Sequence, residues 1–234
     1  NLVQDPDTFD TWFSSGQWPF ATLMSSGEGD FETFYPTSVM ETMYDILLFW
    51  VARMLMLGLY VKKEIPFKDV VLHGMVKDPL GKKMSKSKGN VVNPLEIVDQ
   101  YGADAVRFTL VYGTAFGNDQ VLSYPKLDAM RKFTNKLWNM ARFIEFKAEG
   151  KLKPGSFSLE ELDKIAKNSK DKEMIKKTQD LVKDITRLIN AYDFNHAAQD
   201  LYEFAWHEFA DKYIEDVKER IDENSFSVLS SLYL

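Results

Sequence analysis

Apolar residues along this chain follow two different rhythms, and the change falls near residue 125. Before it, short apolar segments are punctuated by glycine and proline. The run "DVVLHGMV" (69–76), with adjacent valines, has the pattern of a strand buried in a parallel sheet. "FYPTSVMET" (34–42) reads as a second strand with Pro36 near its start, a position that spares the ladder. Between the two, Asp45 is placed to cap a helix running from Ile46 to about Leu59, with Gly58 at its end. "DTWFSSGQWPFATLM" (10–24) predicts an aromatic-rich turn and helix, followed by the loop "SSGEGD". "NPLEIVDQYG" predicts a short helix with Pro94 in its first turn, and "ADAVRFTLVYG" another closed by Gly113. Strands alternating with helices predict an α/β fold class for residues 1–124.

From Pro125 onward the period becomes that of amphipathic helices. Met130, Phe133, Leu137, Met140, Ala141 and Ile144 form one apolar stripe. Ile175, Leu181, Ile185, Leu188 and Ile189 form a second, and Ala197, Leu201, Phe204, Ala205, Phe209 and Tyr213 a third. A loop around Pro154 and Gly155 separates the first from the rest. Three long helices with short connections predict an all-α helical bundle over residues 125–234. No internal repeat is visible.

Composition narrows the chemistry. The chain of 234 residues is 45% hydrophobic and carries no cysteine, which removes disulfides, thiolate metal sites and cysteine nucleophiles together. Its histidines (His73, His196 and His207) are too dispersed to suggest a metal cluster, so no metal site is expected. A net charge of −6 argues against a uniformly basic nucleic-acid binder but leaves room for a local basic patch. The longest apolar run, "ILLFWVARMLMLGLYV", is interrupted by Arg53 and falls short of a membrane span of ~20 residues. The acidic, polar start "NLVQDPDTFD" has no signal-peptide character, so a cytoplasmic protein with no membrane partner is expected. The chain opens without methionine and closes on "SFSVLSSLYL", which suggests an excised piece of something longer.

The one conspicuous basic patch is "GKKMSKSKGN" (81–90), which follows the apolar run at 69–76. It is not a Walker A loop, because the glycine spacing is wrong and Lys82 is followed by Lys83 instead of Ser or Thr. A bare pair of lysines is ordinarily a solvated surface feature. Here, however, Lys83-Met84-Ser85-Lys86-Ser87 spells KMSKS, with "LHGMV" before it and "GNVVNPLEIVDQYGADAVRF" after it. In this the chain resembles the class I aminoacyl-tRNA synthetases. The resemblance implies the second half of a Rossmann-type nucleotide-binding fold followed by an anticodon-binding helical domain. It also implies ATP, accompanied by Mg2+, as a substrate. Amino-acid activation expels pyrophosphate from ATP, so negative charge grows on the leaving oxygens. Lysine ammoniums on a loop stabilise that charge most in the transition state. By resemblance Lys86 is the principal phosphate contact and Lys83 assists, while Met84, Ser85 and Ser87 complete the ATP-binding loop. His73-Gly74 stands at the C-terminal end of a predicted parallel strand, where open α/β sheets place ligands. An isolated histidine is usually structural, and Gly74 and the Met75 backbone are better ATP contacts than the His73 side chain.

"DTWFSSG" (10–16) and "DILLFWVARM" (45–54) resemble the valine-specific branch of that family. The resemblance implies that Trp12, Ile46 and Trp50 line the pocket for the valine side chain and that Asp45 holds the substrate or adenylate. Ile46 and Trp50, spaced i and i+4, would share one face of an α-helix. The family pattern Thr-Gly-x-Asp is replaced here by Thr42-Met43-Tyr44-Asp45, so either the backbone at Met43 avoids positive φ or the local contact differs. The isoleucine branch, with Asp-Val-Trp-Phe-Asp-Ser-Gly, is the alternative, and a pocket distinguishes the two amino acids by only ~1–3 kcal/mol. "NKLWNMARF" (135–143) and "YDFNHAAQDLYEFAWHEFADKYIE" (192–215) resemble the anticodon-binding bundle, which implies tRNA(Val) as a partner. Trp206 and His207 read as packing residues, and Lys132, Lys136 and Arg142 as candidates for tRNA phosphates. A non-catalytic tRNA-binding module is a further alternative. No His-Ile-Gly-His signature occurs in the chain, and by resemblance the editing domain is absent too, so the remainder of a full-length synthetase is an expected partner.

Overall fold

A computed structural model describes residues 2–115, 117–148, 158–219 and 228–229. The loop expected around Pro154 and Gly155 and the terminal segment lie outside the described residues. The chain packs as two compact units, residues 1–76 with 116–120 and residues 77–115 with 121–234.

The first unit opens with helix α1 (Thr11–Gly16), whose exposed N–H groups are met by Asp10: its carboxylate accepts from Trp12 N at 2.8 Å. α2 (Trp18–Ser26) and α3 (Asp30–Phe34) follow, the latter entered through Gly29 at φ +85°. Strand β1 (Thr37–Met43) then pairs in parallel with β2 (Phe67–His73), in a register that sets Thr37 against Phe67 and Met43 against His73. The two strands and their parallel pairing match the apolar runs. The connecting helix does not begin as predicted. Tyr44–Ile46 is a 3₁₀ turn that includes Asp45, with Met43 at the N-cap position and no side-chain cap, and Leu47–Val51 is π-helical. The regular α-helix α4 spans only Ala52–Lys62. It also runs past Gly58, ending where Lys63 takes up the left-handed conformation at φ 60°. Gly58 serves packing instead: a Cβ there would stand 3.1 Å from Pro66 and 3.2 Å from the Tyr35 hydroxyl. A small core of Val51, Met54 and Phe67 joins this helical crossover to the sheet.

In the second unit, α5 (Pro94–Tyr101) starts at Asn93, whose side chain accepts from Leu95 N, with Pro94 in the first turn where its missing N–H costs nothing. α6 (Ala103–Val111) ends just before Gly113, at φ +69°. The helical region has the three long predicted segments: α7 (Tyr124–Ala148), α9 (Ser169–Asn190), and a third over residues 194–219. The third is not uniform. α10 (Phe194–Glu203) passes into eleven π-helical residues, Phe204–Ile214, before α11 (Glu215–Glu219). A short helix absent from the prediction, α8 (Leu159–Ile165), opens with a capping box in which Ser158 and Glu161 satisfy each other's backbone N–H groups. Met140, Ile144, Ile175, Phe209 and Tyr213 converge in one core together with Leu162 of α8. Two of the predicted stripe positions face outward, Ile189 and Leu201.

Candidate active site

The predicted site residues fall into two groups, one in each unit. In the first unit the key element is α1. Its C-terminal residue Gly16 is buried, and a Cβ there would meet Leu57 Cδ1 at 2.7 Å, so the helix seats directly on α4. That seating brings Trp12 and Trp50 into one structure. The Trp50 indole N–H donates to the carbonyl of Ser15 at 3.0 Å. The Trp12 ring stacks near Phe49, with centroids 6.3 Å apart, and Arg53 lies over it at 5.4 Å. Arg53 also stands 4.0 Å from the Asp10 carboxylate that caps α1. Both tryptophans are half-buried, each leaving part of its ring open.

Ile46 is half-buried as well, but it ends the 3₁₀ turn whereas Trp50 lies within the π-helical stretch. The i, i+4 face of an α-helix therefore does not relate them. Asp45 lies in the same 3₁₀ turn, with its Oδ1 buried. Met43 is the last residue of β1 in extended backbone at φ −69°, so this chain has no use there for a glycine's freedom.

The end of β2 is tightly closed. His73 is exposed and held in place, its Nε2 3.1 Å from Glu41 on the neighbouring strand and its Nδ1 2.8 Å from the Gly74 carbonyl. Gly74 has no room for a side chain: a Cβ would stand 1.9 Å from the Asn118 carbonyl oxygen. The close approach that a glycine permits here is thus to this chain's own backbone. Both backbone groups of Met75 are engaged, its N–H donating to Asp119 Oδ1 at 2.8 Å and its carbonyl accepting from Gln120 N at 2.9 Å.

In the second unit the lysine stretch is a constructed loop and not a loose one. Its foundation is Asp78, only 5% exposed, which sequence reasoning passed over. Asp78 Oδ1 accepts from the backbone N–H groups of Leu80 (3.0 Å) and Lys82 (2.7 Å), and Oδ2 accepts from the Asn90 amide at 2.8 Å. The Asn90 bond, followed by the Lys82 amide, holds the Asp78 carboxyl below the usual carboxylate range. Asn90 reaches across the signature: its amide donates to the Lys83 carbonyl at 3.2 Å and its oxygen accepts from Ser85 N at 3.0 Å. Met84, between them, is half-buried and takes the Val92 N–H on its sulfur at 3.5 Å. Ser85 and Ser87 place their hydroxyls 3.2 Å apart. Lys86–Lys88 form a single 3₁₀ turn ended by Gly89 at φ +64°, and the loop is entered through Gly81 at φ +76°. Lys82, Lys83, Lys86 and Lys88 are all exposed, and among the described residues Lys86 and Lys88 meet no carboxylate. The signal for this foundation was present as an aspartate four residues before Lys82 and an asparagine four after Lys86. Among the described residues no group of three or more His, Asp or Glu side chains is placed to hold a metal ion.

On the helical side, Lys136 pairs with Asp211 and lies 4.2 Å over the Trp206 ring, and Lys132 pairs with Asp128 at 2.8 Å. Trp206 packs with Phe133 and Tyr202, while His207 is exposed between Glu203 and Asp211.

With the KMSKS loop and the helical region in place, comparison with known proteins identifies the family. Residues 1–123 match the family of tRNA synthetases class I (I, L, M and V), and residues 171–233 match the anticodon-binding domain of tRNA ligase. The chain belongs to the class I tRNA synthetases. Among curated relatives it is 46% identical to a valine–tRNA ligase of Dehalococcoides mccartyi, over 97% of this chain and 25% of that protein. It is 43% identical to the valine–tRNA ligase of Lactobacillus acidophilus, over 92% of this chain and 24% of that one. The chain therefore spans about a quarter of the length of these relatives. Solved structures share the fold. A leucyl-tRNA synthetase of Agrobacterium radiobacter in a ternary complex with tRNA superposes with a TM-score of 0.81 at 20% identity, over 99% of this chain and 29% of that one. A Mycobacterium tuberculosis methionyl-tRNA synthetase with methionyl-adenylate gives 0.63 at 19% identity, over 92% of this chain and 42% of that one.

Proposed function

We propose that this chain is part of a valine–tRNA ligase, which activates valine with ATP to valyl-adenylate and transfers the valyl group to tRNA(Val). The observation that carries the reading is the KMSKS loop: its base is held by a buried aspartate and an asparagine while its lysines project into solvent. In activation the valine carboxylate attacks the α-phosphate and pyrophosphate leaves. Lys86, assisted by Lys83, neutralises the charge that grows on the departing phosphates. Ser85 and Ser87 add hydroxyl donors, Met84 anchors the loop, and Gly74 and Met75, closed against residues 118–120, shape the strand-end beside ATP where His73 is exposed. Asp78, the acid at the loop's base, already accepts three hydrogen bonds, so the Mg2+ expected with ATP would be held by the phosphates and would offset their charge. Trp12, Ile46 and Trp50 serve the valine side chain, and Asp45 the substrate or adenylate. The valine assignment rests on the names of the relatives and on the "DTWFSSG" and "FWVARM" strings, because three apolar residues discriminate poorly between valine and isoleucine.

Residues 1–124 supply this catalytic portion and residues 125–234 an anticodon-binding-type helical portion, with tRNA, ATP and valine as partners in the cytoplasm. The remainder of the synthetase is a partner too. The segment alone has too little of the ATP site to activate valine. The large apolar residues left exposed on the helical crossover, among them Leu48, Met56 and Tyr60, fit a surface that the rest of the enzyme covers. The test is valine-dependent ATP–pyrophosphate exchange. In the full-length enzyme, Lys86→Ala is expected to lower the exchange kcat by about 100-fold or more while leaving valine affinity near its original value. An equal loss in both, or robust exchange by the isolated segment, would overturn the reading.

A further inference from the structure

The structure assigns Asp78 and Asn90 as positioning residues that hold the KMSKS loop in its working shape; this rests on the function proposed above for the loop. The geometry is specific. One carboxylate gathers the N–H groups of Leu80 and Lys82 on one oxygen and the Asn90 amide on the other. The same amide then ties Lys83 and Ser85 through their backbones, on either side of Met84. Two side chains thus fix the backbone at positions 82, 83 and 85, and the Asp78 N–H closes the base by donating to the Lys82 carbonyl at 2.9 Å. The Lys86–Lys88 turn beyond them is bounded by Gly89 and is the part left exposed. A lysine on a long flexible chain gains selectivity for a transition state only if its backbone is held. Asp78 touches no substrate in this scheme and acts through Lys83 and Lys86.

The arrangement makes an exchange of the two residues informative. With the two side chains swapped, the carboxamide now at position 78 would still accept the Leu80 and Lys82 N–H groups on its oxygen. Its NH2 group would donate to the carboxylate now at position 90, and that carboxylate would still accept from Ser85 N. In the exchange the bond to the Lys83 carbonyl is lost and a carboxylate oxygen comes to face that carbonyl, which is why recovery is expected to be partial. Each single change instead sets like groups face to face: two amides in Asp78→Asn, two carboxylates in Asn90→Asp. In the full-length synthetase, the measurement is ATP–pyrophosphate exchange together with valine KM, with Lys86→Ala run alongside. Each single variant is expected to lose about 100-fold in kcat, the size of effect that an ångström-scale misplacement produces, with valine KM unchanged. The double variant Asp78→Asn with Asn90→Asp is expected to recover about tenfold or more of that loss. Single variants that keep the original kcat would overturn the assignment, as would a double variant no better than the singles, or a matching loss in valine KM. If the singles do not fold, the double variant decides alone: kcat within about tenfold of the parent supports the assignment and a loss of about 100-fold removes it. If Lys86→Ala also leaves kcat intact, it is the function proposed for the loop that fails, and not merely its positioning.

Discussion

The strand-bearing unit and the helical region solve the problem of burial in opposite ways. In the first unit the buried cluster amounts to Val51, Met54 and Phe67, while Leu48 on the same crossover is 76% exposed. Among the described residues of the helical region, thirteen that are buried form one continuous cluster around Ile144, Ile175 and Phe209. By length and composition Tyr44–Lys62 would suffice to cross a membrane. Yet Arg53 stands in the middle of that helix, close to Asp10 and over Trp12, a pairing that a lipid-facing helix has no use for. Membership in the synthetase family supplies the other reading, that the exposed face is an internal surface of a larger enzyme. The difference teaches where cooperativity should lie. The helical region gathers its buried apolar residues in one cluster, whereas the strand-bearing unit is closed by a few close backbone contacts.

The sharpest way to break this comparison is at Gly74. Alanine there places a methyl group 1.9 Å from the Asn118 oxygen and 2.6 Å from Asp119 N, both backbone atoms that cannot swing aside. Relief requires moving the 117–120 segment and giving up the bonds between Met75 and residues 119 and 120. Gly74→Ala is expected to cost roughly 4 kcal/mol or more, at the extreme of single substitutions. Thermal unfolding of the full-length enzyme, with hydrogen exchange at Met75 and Gln120, measures it. A well-tolerated alanine would mean that the thin unit does not depend on this closure.

A second, smaller effect probes the helical region through its one wholly buried acid among the described residues. Asp171, in the first turn of α9, accepts from the Tyr213 hydroxyl at 3.0 Å within the core. Asp171→Ala removes that buried acceptor and is expected to cost about 3 kcal/mol. The loss should appear as weakened exchange protection in α9 and the Phe204–Ile214 stretch, leaving adenylate formation unaffected. Loss of exchange activity in step with stability would instead couple the two regions.

These two residues also mark how far the sequence could be read. The strands, the KMSKS loop and three long helices were legible because apolar period and a short motif encode them locally. Helix α8 was legible as well, in the Ser158 and Glu161 box, but was lost beneath the loop signals beside it. What could not be read depends on tertiary closure. Met43 in extended backbone, the π-helical turns at Leu47–Val51 and Phe204–Ile214, and the backbone pressed against Gly74 leave no periodic trace. Within the site, the lysines announced themselves by charge. The Asp78 and Asn90 pair that shapes their loop did not, because an aspartate in a polar loop looks solvated until its hydrogen bonds are seen.

The smallest predicted effect tests whether surface charge adds to the helical region's apolar cohesion. Glu208, in the π-helical stretch, accepts from Lys177 of α9 at 2.8 Å and from Lys212 one turn on. The Lys177 bond, with Lys212 second, lowers its carboxyl from the ordinary 4.5 to about 2. A carboxylate whose folded pKa is depressed contributes its stability fully above pH 4.5 and loses it as pH falls through 4.5 toward 2. The lysines are substantially exposed, so solvent screening holds the gain at neutral pH to about 1 kcal/mol or less. Glu208→Gln should therefore lower stability by that amount at pH 7 and by progressively less toward pH 2, and raising the salt concentration should narrow the gap further. Denaturant unfolding of the parent and the variant across that range is the measurement. A difference independent of pH would assign Glu208 a packing role in place of an electrostatic one.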